Sequence, residues 1–299
     1  MRGAAAWFAP ADSVSHVLGA VGDLVEDVVV RLHGPVNMAS DTDAEVGRRR
    51  GGSAANVVEA AVRAGGAARF IGQVGDDATG RWLTSCLEAL GAETAVHREG
   101  RSGTIVVLVD SHGERTMLCD RGACTALDEP HPSWLVGLDT LHIPYYSLVG
   151  EPLATTVRTL AEWANERGIV VTVDTSSAAL LATAGVPAAL AQIAALRPAV
   201  VLANELEAEV LGAALLALDT TVVVKHGAAP AVVHRVGEPA VEVPAIRVDD
   251  VRDTTGAGDA FAAGFLLEYA LTADAVAATR RGHEVAAATV RRVSAELSG

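Results

Sequence analysis

The chain has 299 residues, half of them hydrophobic and a fifth charged, which is enough apolar material for a full core and rules out a disordered chain. Aromatics make up only 4%, so that core must be built from Ala, Val and Leu. A net charge of −14 argues against nucleic acid or an anionic membrane surface as the main partner. Lys225 is the single lysine among 23 basic residues, so any Schiff-base or phosphate-binding lysine would have to be this one.

Residues 1–16, MRGAAAWFAPADSVSH, bear only a superficial likeness to a signal peptide. The apolar stretch is short, Pro10 falls within it and Asp12 follows at once, so the segment reads as a short extension. A β-branched strand is expected at Val17–Val21, followed by a less regular run over Asp27–Leu32 and the polar stretch NMASDTDAEVGRRR before Gly51. Helical spacing then covers Asn56–Ala64, a strand Ala68–Gln73, and a helix Gly80–Ala89. Thr104–Val109 reads as a strand, with His112-Gly113 as a hairpin turn after it. Strands at Thr140–Ile143, Ile169–Asp174, Val200–Ala203 and Thr221–Lys225 follow, interleaved with helices at Pro152–Glu166 and Glu205–Leu211, and a last helix at Gly258–Tyr269.

Strand and helix alternating through the last two-thirds predict a mostly parallel sheet covered on both faces, in one principal domain over residues 17–299. The two excursions, about residues 28–50 and 103–125, are expected to form a small antiparallel sheet outside it. Thr175–Leu196 carries no charge over 22 residues, the length of a membrane span. It is rich in small Ala and broken by Gly185 and Pro187, so a loop plus an amphipathic helix, with Leu190, Ile193 and Leu196 on one stripe, fits better. Cys86, Cys119 and Cys124 are odd in number and scattered without ligand spacing, which points to a reducing cytoplasm and to neither zinc nor disulfides.

The strongest local signal is Asp253-Thr-Thr-Gly-Ala-Gly-Asp259, opening the apolar run AFAAGFLLEYAL. A Gly-Ala-Gly helix start aims several unpaired backbone N–H groups into one space, which suits a phosphate or a developing anion. Asp259 in the first turn, where the helix field favours its ionised form, is placed to accept a hydroxyl proton. An ordinary turn with a capping Asp accounts for this segment equally well. Competing motifs fail on spacing: Phe261 stands where a dinucleotide fingerprint needs its third glycine, and no Walker loop, GxSxG elbow or HExxH occurs. Gly51-Gly-Ser-Ala-Ala-Asn56 before a helix allows close backbone approach, and Asn56 offers both donor and acceptor to a polyhydroxylated molecule. Asn204 and Glu207, after the strand VVLA, lie three apart and would share a helix face as oxygen ligands suited to Mg²⁺. A solvated acidic helix start is the alternative there.

Together these segments resemble the PfkB, or ribokinase-like, family of carbohydrate and nucleoside kinases, from about Val17 to Ala295. Gly51–Asn56 is similar to the family's first signature, Asp253–Asp259 to its second, and Asn204 with Glu207 to its Asn-x-x-Glu pattern. The resemblance implies a three-layer α/β/α fold with a small β-sheet lid made by the two excursions, often a homodimer contact. It implies Asp259 as the catalytic base and Thr255, Gly256, Ala257 and Gly258 as the anion hole. Asp27, Gly52 and Asn56 would grip the acceptor's hydroxyls; Asp27 is preferred to Asp23 because the family's Asp lies five residues beyond its strand-end glycine, here Gly22. Lys225 and Gly227 fall in its nucleotide loop, and His283 at its adenine pocket. Arg115, Arg121 and Tyr145 in or near the lid are candidates to approach the ligand, although arginines paired with nearby acids are commoner. Three features depart from the pattern: Ser53 where some members carry lysine, Pro230 after the nucleotide loop, and Ser294-Ala295 for the usual Gly-Ala. The last counts against activation by a monovalent cation. The implied activity is transfer of phosphate from ATP, with Mg²⁺, to a primary hydroxyl of a sugar or nucleoside in the cytoplasm. A sugar-binding regulator that has lost turnover is the alternative from another class.

Overall fold

The computed structural model describes residues 16–251 and 253–296, so the expected extension falls almost wholly outside it. In chain order the first half contains β1 (Val17–Val21), β2 (Val25–Leu32), β3 (Ala44–Gly51), α1 (Ser53–Arg63), β4 (Ala67–Val74), α2 (Ala78–Glu88), β5 (Glu93–Arg98), β6 (Thr104–Val109), β7 (Arg115–Asp120) and β8 (Thr140–Pro144). The second half adds α3 (Leu153–Glu166), β9 (Val170–Asp174), α4 (Ala178–Ala184), α5 (Val186–Ala195), β10 (Val200–Asn204), α6 (Glu205–Leu211), α7 (Ala213–Leu216), β11 (Thr221–His226), β12 (Ala229–His234), β13 (Val241–Val243), α8 (Ala257–Thr272) and α9 (Ala275–Glu296).

The main sheet runs β13-β12-β11-β10-β9-β8-β1-β4-β5. It is parallel from β11 to β5, and β12 and β13 are antiparallel additions at one edge. Its inner strands are β-branched runs buried on both faces, the signature of a covered parallel sheet. One face packs on α1, α8 and α9, the other on α3 and α5. The near absence of aromatics is met by close helix packing. At Gly264 of α8 an added Cβ would lie 2.6 Å from the Arg281 carbonyl of α9, so only glycine permits this approach of the two helices. Strand order reverses at β1, with β4 and β5 on one side and β8 to β11 on the other. The carboxyl ends of the strands around that switch point therefore frame a crevice.

A second sheet, β3-β2-β6-β7, is formed by the two excursions. It is not wholly antiparallel: β2 and β6 pair in parallel. Both strands continue from parallel strands of the main sheet, β1 and β5, and so leave its carboxyl edge in the same direction. The hairpin turn at His112-Gly113 is present, with Gly113 left-handed and Asp110 accepting from the His112 and Glu114 amides. The segment 175–196 forms two short helices, α4 and α5, rather than one, bent by 102° at Gly185. No single helix among the described residues is long and apolar enough to cross a membrane.

Candidate active site

Gly256 is the N-cap of α8 and lies in the left-handed region, φ 76° and ψ 1°, where a side chain would be strained. The Ala257 N–H is spent on the Thr254 carbonyl at 3.0 Å, and the first bond into the helix runs from Ala260 N–H to the Gly256 carbonyl at 2.8 Å. The Gly258 and Asp259 amides thus sit in a first turn that offers them no intrahelical acceptor. The Asp259 carboxylate accepts from Ser53 Oγ at 2.7 Å and from Asn56 Nδ2 at 2.8 Å, so α1 and α8 bring the two glycine-rich segments together. Burial pushes this carboxyl up to about 6; Ser53, Asn56 and Lys225 hold it down while the charge of Asp174 adds to the rise. Burial therefore works against the helix field, which favours the ionised form. A helix terminus contributes roughly 0.3–1 kcal/mol, whereas a two-unit rise corresponds to roughly 3 kcal/mol in the opposite direction.

Lys225, at the end of β11, ion-pairs through Nζ with Asp174 Oδ2 at 2.6 Å, across from the end of β9. Its ammonium is 3.8 Å from where a Cβ on Gly258 would stand, which puts the chain's only lysine beside the helix start. Burial acts against its charge, but Asp174, Glu207 and Asp259 together hold its pKa above the ordinary lysine value. Asn204 and Glu207 do not project side by side from a helix. Asn204 is the N-cap of α6 and the two form a reciprocal capping box: Asn204 Oδ1 accepts the Glu207 N–H at 2.9 Å, and Glu207 accepts the Asn204 N–H at 2.9 Å and Nδ2 at 2.7 Å. Thr175 Oγ1 adds a fourth bond at 2.6 Å, and burial with the nearby Asp174 charge raises the Glu207 carboxyl.

Gly227 lies in the turn between β11 and β12 with φ 61° and open space around its Cα. Pro230 falls within β12 rather than in that turn. His283 is 7% exposed and sets its ring edge against Phe261, centroids 5.2 Å apart, inside the α8–α9 packing. It therefore belongs to the wall behind the loop and does not present an open ring face.

On the other side of Asp259, Gly52 is the N-cap of α1 with φ 102°, and a Cβ there would overlap the Asp23 carbonyl. A Cβ on Gly51 would overlap the Asp27 carboxylate. The paired glycines thus admit the β1–β2 turn and the Asp27 side chain to the start of α1. Asp27 accepts from Arg49 Nε at 3.3 Å, and burial raises its pKa despite Arg49 and Arg50. Asp23 is held differently, by a two-bond clamp from Arg121 at 2.7 and 2.8 Å, and Arg121 also donates to the Tyr146 and Val149 carbonyls. Tyr145 is fully buried, its hydroxyl donating to Gln192 at 2.6 Å. Neither Arg121 nor Tyr145 is placed to approach a ligand: the acids and the core have claimed them. Arg115 reaches across from β7 to Asp253 Oδ1 at 2.7 Å and to the Thr255 hydroxyl. Burial of Asp253 is outweighed by these bonds and by the Thr255 N–H and Oγ, which keep its carboxyl below the ordinary range.

Three residues of this cluster escape the sequence reading. Ser53 belongs to the first signature, but nothing in the sequence ties its hydroxyl to Asp259. Asp174 ends a predicted strand at the edge where ligands bind in such sheets, a signal that could have found it. Arg50 looks like part of a solvated basic run, yet it is nearly buried at the end of β3, bonded to Asn56 and Glu59 of α1.

A sequence profile described as pfkB family carbohydrate kinase matches residues 17–298. The chain belongs to this family. It is 32% identical to an ATP-dependent ribose-1-phosphate kinase of Halopiger xanaduensis, over 87% of this chain and 91% of that protein. It is 30% identical to a fructokinase of Klebsiella pneumoniae, over 77% and 80%. An adenosine kinase from Sinorhizobium meliloti shares the fold, with a TM-score of 0.81 at 21% identity, covering 96% of this chain and all of the other. The pfkB chain described here is accordingly a phosphotransferase with an alcohol group as acceptor, a sugar or nucleoside kinase of the ribokinase-like fold. Membership in this family of ATP-dependent kinases implies ATP as a substrate.

Proposed function

We propose that this kinase transfers the γ-phosphoryl group of ATP to a primary hydroxyl of a sugar or sugar derivative, with Asp259 as the base. The observation that carries the reading is the partly buried Asp259 carboxylate, raised to about 6, set in the same turn as the free amides at the start of α8. A base of that strength is mostly ionised at neutral pH yet closer to the ideal for proton transfer than an ordinary Asp. An alcohol is a far weaker acid than this carboxyl, so proton transfer occurs late, as the new oxygen–phosphorus bond forms. The Thr255 and Ala257 amides of the expected anion hole are taken by Asp253 and Thr254, so the Gly258 and Asp259 amides and the Lys225 ammonium face the charge on the transferring group. Asp27, Asn56 and the backbone at Gly52 bind the acceptor's other hydroxyls. Gly227 leaves the β11–β12 turn open to the nucleotide.

Asp174, Glu207 and Asp259 gather around a single ammonium, an excess of negative charge that fits a divalent cation. Asn204 and Glu207, at the carboxyl end of β10, would hold a hydrated Mg²⁺ through its waters. When bound, that ion would neutralise phosphate charge. The second sheet acts as a lid over the acceptor, with Arg115 tying it to the Asp253 loop. Its far side, on the face away from Asp27, carries Val28, Val30, Val46, Val106 and Leu118 and is the surface we assign to a homodimer contact.

A nucleoside acceptor is the second reading. The strand register puts Ile105, Val107, Met117 and Cys119 on the same side of the second sheet as Asp27, an apolar wall suited to a base. Measuring ATP-dependent phosphorylation of pentoses, hexoses, keto-deoxy acids and nucleosides side by side tests both. No transfer to any of them by folded protein with Mg-ATP overturns the kinase chemistry assigned to Asp259.

A further inference from the structure

The Asn56 amide touches Asp259 with its NH₂ end, and an amide can be turned either way at little cost unless its other end is also fixed. Here it is fixed. Arg50 Nη1 donates to Asn56 Oδ1 at 2.9 Å, and a guanidinium has donors only. The Asn56 oxygen must therefore face Arg50, and its NH₂ must face the carboxylate. Arg50 is itself held: its side chain is 9% exposed and its second nitrogen pairs with Glu59 on α1. Glu59 also accepts from Arg63 Nε at 2.7 Å. Burial raises Glu59, but the two arginines outweigh it and keep it ionised. The result is a continuous line, Arg63–Glu59–Arg50–Asn56–Asp259, running from the surface of α1 to the base.

We infer that Arg50 is a positioning residue for phosphoryl transfer, acting through Asn56 to orient and keep ionised the Asp259 carboxylate. The inference rests on Asp259 being the base. The line opposes the burial that otherwise protonates this group. The other charged or titratable groups around Asp259 are Asp174 from β9, Lys225 from β11, Tyr146 after β8 and, across Lys225, Glu207 of α6. None of these contacts the Asn56 oxygen, so none replaces Arg50 when it is removed.

The test compares wild type, Arg50→Met, Arg50→Lys and Glu59→Gln, with Asp259→Asn as control. The Asp259 carboxyl is titrated by NMR in protein carrying ¹³C in its aspartate carboxyls, its signal being the one that Asp259→Asn removes. Arg50→Met should move that midpoint from about 6 to about 7, the size expected for losing one fixed hydrogen bond to the charged form. Turnover of Mg-ATP with D-ribose, D-fructose or adenosine, whichever wild type uses fastest, should fall about tenfold at about pH 5, below both midpoints, and only about twofold at about pH 7, with KM for ATP within about twofold. Arg50→Lys should restore part of both effects, since an ammonium reaches Asn56 but lacks the fork that also braces on Glu59. Glu59→Gln should fall between. A purely structural Arg50 would lower thermal stability while leaving the Asp259 midpoint and the turnover per folded molecule unchanged, and that result overturns the inference. If Asp259→Asn itself keeps wild-type turnover, it is the assignment of the base that fails instead.

Discussion

The raised carboxyl of Asp259 makes stability depend on pH in a direction opposite to that of a salt-bridged acid. Folded, the group titrates near 6; unfolded, near the ordinary 3.8. The native state therefore holds this proton more tightly, so the group's contribution is fully present below about pH 4 and is lost as pH rises through about 6. The two-unit difference corresponds to roughly 3 kcal/mol at pH 8, and partial solvent access to Asp259 reduces this to about 2. Asp259→Asn keeps the shape: the amide oxygen can accept from Asn56 while its NH₂ donates to the Ser53 hydroxyl. It removes the ionisation cost and the repulsion from Asp174. Urea unfolding of both proteins from pH 4 to pH 8 should show the variant more stable by about 2 kcal/mol at pH 8, with the gap closing toward pH 4. A gap that is constant with pH, or a variant less stable at pH 8, would refute the claim that burial dominates this carboxyl.

Three further outcomes follow from the site. Gly52→Ala combines a φ of 102° with overlap on the Asp23 backbone, which cannot rotate away; a loss of roughly 2–5 kcal/mol in urea unfolding is expected, and a loss under 1 would show that the β1–β2 turn yields. Asp27→Ala should weaken acceptor binding by about one to two orders of magnitude by calorimetry with little effect on stability, whereas Asp23→Ala strands the Arg121 guanidinium and should cost about 3–5 kcal/mol of stability; the reverse pattern would assign the acceptor contact to Asp23. Glu207→Gln keeps part of the capping box, costing about 1–3 kcal/mol, but should raise the Mg²⁺ concentration needed for half-maximal rate; an unchanged Mg²⁺ dependence removes Glu207 from the metal site.

The parallel core was legible because its strands are buried on both faces and read as continuous β-branched runs; β1 falls on its predicted limits. Strands held by pairing rather than by composition were not. β3, AEVGRRRG, is a strand because β2 supplies its partners, and its three arginines suggest only a solvated loop. β12 and β13 lie at an edge where propensity decides little. In the site, Asn56 and Asp259 meet across 203 residues of chain, a proximity that no local pattern contains. The resemblance paired their segments, yet the burial that raises Asp259 leaves no mark in the sequence, where only a helix start is visible. The same holds for Arg121, whose partner Asp23 lies 98 residues away, and for Glu207, whose spacing from Asn204 served a cap as readily as a shared face.

The most direct measurement is the single-turnover rate of phosphoryl transfer from Mg-ATP for wild type and Asp259→Asn, on the best acceptor of the screen, with ATP affinity measured on the same preparations. The account predicts a rate at least about 10²–10⁴-fold lower, with ATP bound as tightly or more tightly, because a carboxylate close to phosphates repels them in the ground state. A variant that transfers phosphate at nearly the wild-type rate would contradict it.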